Sequence, residues 1–301
     1  MTYNNSTGKA FEQANKIFVT DKANVSRYSS TLTNVEWAQI NPGTVIVATA
    51  YRSVLCQSSS IEDRFTQPMN FPGSVATSKK LLDGAIAAAK YAVNSNVRPP
   101  ALTATRWVWR LAGLYHQTHP IPQLMEEAAR RFEQAGHSFL AQWATEKAKE
   151  EAGHDLLALR DIQSLGYDAE AVVGTLVPPS AKVLIDYFTR SIQDLNPIDC
   201  VGYAYTMERL ALGVDEHYIQ KVKALLPANI QATRCLKVHS SLGSDTAHTE
   251  DTVEMIAGLI SLERTRIARA CYETALLCFS PPNNDYISDE ELQQILQPLK
   301  L

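Results

Sequence analysis

The chain has 301 residues, 45% hydrophobic and 20% charged, the balance of a globular protein that can bury a substantial core. A net charge of −4, a pI near 6.0 and the lack of any basic cluster speak against a nucleic-acid partner. No run of about 18 apolar residues occurs, so no membrane span is expected, and the polar stretch Met1 to Ala10 lacks the apolar core of a secretory leader.

Residues 1–74 differ in texture from the rest, with frequent Asn, Ser and Thr, and are expected to form an irregular N-terminal extension. Its one strongly apolar stretch, Thr44 to Leu55, is rich in β-branched residues and suits a short strand or a buried extended segment, with a helix also compatible. Gln67 to Gly73, with two prolines, reads as a linker. Residues 75–301 are expected to form one helical domain. Ser78 to Val93 is alanine-rich with helical spacing, and Thr105 to Tyr115 is apolar and aromatic. Pro122 to Gln134 is amphipathic and stops at Gly136. Ser138 is placed to cap one long helix that runs to Leu165 and ends at Gly166. Asn196-Pro197 starts a further helix through Glu208 towards Gly213. Another begins near Pro227 and carries His239, and the pattern continues from Asp245 to Phe279 before Pro281-Pro282. The sum is an all-α bundle of six or more helices. The five cysteines are scattered, odd in number and form no C-x-x-C pair, so a reduced, cytoplasmic protein is expected.

Three stretches carry donors. In EEAGHD, Glu151 and His154 are three apart and share one helical face, the usual way a bundle offers an oxygen and a nitrogen ligand to one metal cluster. Gly153, read as mid-helix, would cost about 1 kcal/mol relative to alanine and permit a close approach. In HSSLGSDTAH, Asp245 and His248 repeat that spacing, while His239 joins them only if the helix is interrupted at the serines and Gly243. Glu208 lies among apolar neighbours in VGYAYTMERLAL, where a carboxylate is costly to bury without a partner or a cation, and Arg209 is a structural alternative. Each stretch alone also reads as solvated or capping side chains. Together they supply carboxylates (Glu151, Glu208, Asp245) and imidazoles (His154, His239, His248), a mixed set that suits iron or manganese.

E-x-x-H, a later lone Glu, then H…D-x-x-H resembles the heme-oxygenase-like diiron oxidases, which include the CADD-type proteins and the fatty-acid decarboxylase UndA. The order and the intervals agree, and so does the texture of AKEEAGHDLLALRDIQSLGYD, over about residues 75–285. The resemblance implies a heme-oxygenase-like seven-helix bundle holding two Fe(II) ions per chain, with manganese as the alternative metal and O2 as co-substrate. His154, Glu208, His239, Asp245 and His248 would be ligands and Glu151 a mobile or shared one, with Glu151 and Glu208 the carboxylates that change binding mode during the reaction. The implied activity is oxidation of a small amino-acid- or fatty-acid-derived metabolite by C–C cleavage, N-oxygenation or desaturation, with an external electron donor compatible and a homodimer permitted.

Two departures stand out. His239 and Asp245 are separated by two more residues than in the family's usual H-x-x-x-D-x-x-H. No clean equivalent of a glutamate from the first core helix is present, although Tyr115, His116, His119, Glu126 and Glu127 lie in the right region. An aromatic lining is expected from Trp107, Trp109 and Tyr205. The alternatives are a metal-independent enzyme similar to TenA or PqqC, for which Cys200 or Cys235 is available as a nucleophile, and a non-enzymatic helical interaction protein.

Overall fold

The computed structural model describes residues 18–20, 35–57, 65, 69, 73–93, 99–240 and 245–301, with the side chains of 18–20, 57 and 245–248 outside that description. Four strands come first: β1 (Phe18–Thr20), β2 (Glu36–Asn41), β3 (Thr44–Ala48) and β4 (Ser53–Gln57). They form one sheet in the order β1-β4-β3-β2, with β2–β3 and β3–β4 antiparallel and β1 parallel to β4. The apolar stretch from Thr44 to Leu55 thus supplies two strands, as its β-branched content suggests.

The helices follow: α1 (Val75–Ala92), α2 (Ala104–Thr118), α3 (Ile121–Gln134), α4 (Ser138–Glu151), α5 (His154–Ser164), α6 (Ala169–Thr175), α7 (Pro179–Gln193), α8 (Asp199–Ala211), α9 (Glu216–Leu225), α10 (Arg234–Val238), α11 (Asp245–Ala257), α12 (Ser261–Phe279) and α13 (Asp289–Leu296). Ser74 caps α1 through a reciprocal pair with Thr77, and Thr103 caps α2 by accepting the Arg106 N–H. The long helix expected from Ser138 to Leu165 is two helices. Gly153 has φ +86°, a left-handed conformation that ends α4 and redirects the chain into α5. Ser138 is the first residue of α4 and does not cap it.

The apolar side chains gather into two main clusters. One joins Ile40, Ile46 and Leu55 of the sheet to α1, α3, α4, α7, α8 and α12. The other joins α2, α5, α6, α9, α10 and α13. Within the first, α8 and α12 approach so closely that a Cβ on Gly202 would lie 2.5 Å from the Ile267 carbonyl oxygen. The sheet is bound to the bundle by an enclosed polar contact as well: Glu36 accepts from the Ser78 hydroxyl of α1 and from the Arg264 guanidinium of α12, with all three side chains buried. Because α4 belongs to one cluster and α5 to the other, the corner at Gly153 lies on the seam between them. Among the described residues no helix is long and apolar enough to cross a membrane.

Candidate metal centre

The inward stripe of α4 begins apolar, with Leu140, Ala144 and Ala148 buried, and becomes charged towards its end. Lys147, four residues before Glu151, falls on the same side as that glutamate. Its ammonium group is buried and lies 2.9 Å from both Glu150 Oε2 and Glu208 Oε1. Burial alone would lower its pKa, but the Glu208 and Glu150 carboxylates outweigh that cost and hold it above the ordinary lysine value. Glu208 comes from α8, whose Ala204, Met207 and Ala211 line the same cavity.

Immediately after the corner, His154 opens α5, and its Nδ1 lies 2.9 Å from Glu151 Oε2. His239 is the cap residue at the end of α10, beyond which α11 begins separately at Asp245. α10 is held on α5 by the buried Asp161, which accepts the Cys235 backbone N–H and the Arg234 guanidinium, each at 3.0 Å. This docking sets the His239 ring against His154, with centroids 4.7 Å apart at 84°.

Donor atoms of Glu151, His154 and His239 thereby lie within 4.8 Å of one another. Ligands held at about 2.1 Å on neighbouring vertices of an octahedron stand about 3 Å apart, so the Glu151–His154 contact matches one edge of such a site. The Glu151 carboxyl is raised by burial, but the hydrogen bond with His154 and the charges of His239, His154 and Lys147 bring it below the usual carboxylate range. Glu151, His239 and Lys147 border a cavity of about 710 Å³, mouth included, whose other walls include Met125, Phe188, Tyr203 and Met207, with His154 behind Glu151. Tyr203 stacks on Phe188 at 4.3 Å, and burial raises its phenol well above the ordinary value.

Of the six residues expected as ligands, Glu151, His154 and His239 converge, and Glu208 borders the same cavity under Lys147. Asp245 and His248 occupy the first turn of α11, which packs on α1 and α8, and their side chains lie outside the described residues. Arg209 does not compete for Glu208, because it pairs with Asp83 of α1 at 2.8 Å. Tyr205 is not a wall of the cavity: its hydroxyl donates to the same Asp83, and Tyr203 takes the place foreseen for it. Trp107 and Trp109 line a second cleft. The candidates from the earlier helices are engaged elsewhere, His116 with the carbonyls of Val173 and Leu176, His119 with Asp155, and Glu127 with Arg130 and Arg131. Lys147 and Asp161 escaped the reading of the sequence. The four- and seven-residue steps from Lys147 to Glu151 and His154 were a usable signal for the lysine, whereas Asp161 acts through a partner 74 residues away.

Two solved structures share this architecture. One, from Shewanella denitrificans, is a domain of unknown function with a heme oxygenase-like fold. It matches with a TM-score of 0.51 over 74% of this chain and 89% of its own, at 21% identity. The fold is heme-oxygenase-like. A TenA homolog from Pseudomonas syringae matches with the same TM-score over 71% of this chain and 96% of its own, at 12% identity. No family model matches the sequence, and no curated protein does. Within this heme-oxygenase-like fold, Cys200 and Cys235 are fully buried, and burial raises both thiols far above the range in which a thiolate forms.

Proposed function

We propose that the cavity is the active site of a non-heme iron oxidase that uses O2 to oxidise a small organic substrate. The observation that carries this reading is the convergence of Glu151, His154 and His239 from three separate segments, with Glu151 and His239 in the wall of a largely apolar cavity. Two imidazoles and a carboxylate form the donor set that suits ferrous iron with positions left open. When bound there, ferrous iron supplies electrons and coordination positions for O2 reduction.

The protein's own groups have distinct tasks. His154 and His239, on α5 and at the end of α10, present imidazole nitrogen donors from one side of the seam, facing Glu151 of α4. Glu151 supplies negative charge and fixes the orientation of the His154 ring through their 2.9 Å contact. Glu208, with Asp245 and His248 on the adjoining helix, is proposed to hold a second ion, and Lys147 neutralises Glu208 until that ion displaces it. Met125, Phe188 and Met207 keep the surroundings apolar, which strengthens charge interactions and limits water. A thiol-dependent reaction draws no support from Cys200 or Cys235, given their burial.

Anaerobic titration with ferrous iron, read by metal analysis after gel filtration, tests the proposal. The wild-type chain is expected to retain stoichiometric iron, and His154→Ala and His239→Ala to lose it while keeping their helical circular dichroism. A wild-type chain that retains none, as a metal-independent enzyme or an interaction protein would, overturns the reading.

A further inference from the structure

The second cleft, about 830 Å³ with its mouth, runs beside α2 and is walled by Trp107, Trp109, Pro99, Pro100 and Tyr286 among others. Two guanidinium groups border it. Arg106 is neutralised by Asp289 and also donates to the Ile287 carbonyl. Arg110 is half-buried, and its Nη1 donates to the Tyr218 hydroxyl at 2.6 Å. Among the described residues no carboxylate forms an ion pair with it. The one acid in the cleft wall, Asp285, accepts the Ser180 backbone N–H at 2.9 Å. Arginine has five donors in a planar fork, so a single contact with a phenol leaves most of that capacity for another acceptor.

The position of Arg110 along α2 gives this site a direction. Arg110, Leu114 and Gln117 follow one another at helical spacing on one face, and Leu114 and Gln117 belong to the walls of both cavities. Seven residues of helix rise about 10 Å, the axial separation of Arg110 from Gln117 in the shared wall. We propose that Arg110 and Tyr218 bind the carboxylate of a monoanionic, aryl-bearing acid whose apolar body lies along α2 and whose far end reaches the metal cavity. One cation without a counter-ion, an acid in the same wall and the lack of lysines favour a single negative charge over a phosphate dianion. Indole and proline surfaces favour a flat apolar body. The inference rests on the iron-oxidase reading for the role of the far end, and it names the substrate class of that site.

The test uses the full chain without metal and calorimetric titration with 4-phenylbutyrate and its neutral amide. The acid is expected to bind more tightly than the amide by about tenfold, and Arg110→Gln to remove that preference while leaving the weak amide affinity unchanged. Tyr218→Phe, which keeps the guanidinium but removes one donor, is expected to reduce the preference without abolishing it. Equal affinity of acid and amide in the wild type overturns the proposal, as does a preference that survives in a natively melting Arg110→Gln. If Arg110→Gln does not fold, the wild-type comparison decides alone. Because no metal is present, a failed iron titration leaves this result standing, and a failed carboxylate preference leaves the iron centre standing.

Discussion

Two buried charged clusters in this molecule look alike in composition and differ in setting. At the junction of sheet and bundle, Glu36 meets Arg264 and Ser78, and all three side chains are buried in the protein interior. On the seam between the two apolar clusters, Lys147 meets Glu150 and Glu208 beside Glu151, His154 and His239, and Lys147, Glu151, Glu208 and His239 border open space. In the first, a guanidinium and a carboxylate match each other without a cavity. In the second, carboxylates outnumber the ammonium group and two imidazoles stand beside them. The enclosed cluster fastens two parts of the fold, while the open one is arranged to receive a ligand.

That contrast breaks first, and with the largest effect, at the enclosed cluster. Glu36→Ala removes the buried carboxylate that pairs with Arg264 and is expected to cost about 3–5 kcal/mol of stability in denaturant unfolding, with iron stoichiometry unchanged in the folded fraction. Gly202→Ala, which forces α8 from α12, is expected to cost about 1–3 kcal/mol in the same measurement. Gly153→Ala places a side chain at φ +86° and should cost about 1–2 kcal/mol, and, unlike the other two, it should also weaken iron retention by moving His154 from Glu151. Lys147→Met sharpens the comparison with the smallest loss, about 1 kcal/mol, because, of the carboxylates it releases, Glu150 is partly exposed and Glu208 borders the cavity. Ferrous iron is expected to raise the melting temperature of that variant more than that of the wild type, since metal then binds Glu208 without competition. An equal rise in both would separate Lys147 from the metal site.

The helical frame was legible because periodic apolar positions and terminal signals are local: the stretches read from Ser78, Thr105 and Pro122 match α1 to α3 to within three residues at each end. The corner at Gly153 was not. A glycine inside an amphipathic pattern reads equally as a tolerated defect or as a left-handed turn, and what favours the turn is that α4 and α5 belong to different cores. Among site residues, Glu151 and His154 share a contact that their spacing foreshadows, although they lie on two helices instead of one. For His239 to face the same way as Asp245 and His248 the sequence demanded an interrupted helix, and α10 does end at Val238 with His239 as its cap. The roles of Lys147 and Asp161 depend on partners distant in sequence, Glu208 and Cys235, and no local pattern encodes such pairings.

The corner at Gly153 also gives the site an electrical polarity. α4 ends at Glu151, so its last carbonyl groups lack i+4 helical partners there, and α5 starts at His154 with N–H groups that lack i−4 helical partners. Each helix end carries about half an elementary charge, negative beside the carboxylate and positive beside the imidazole. This field comes from peptide groups that do not titrate, so the pull on a cation at Glu151 and on an anion at His154 persists when the side chains change protonation.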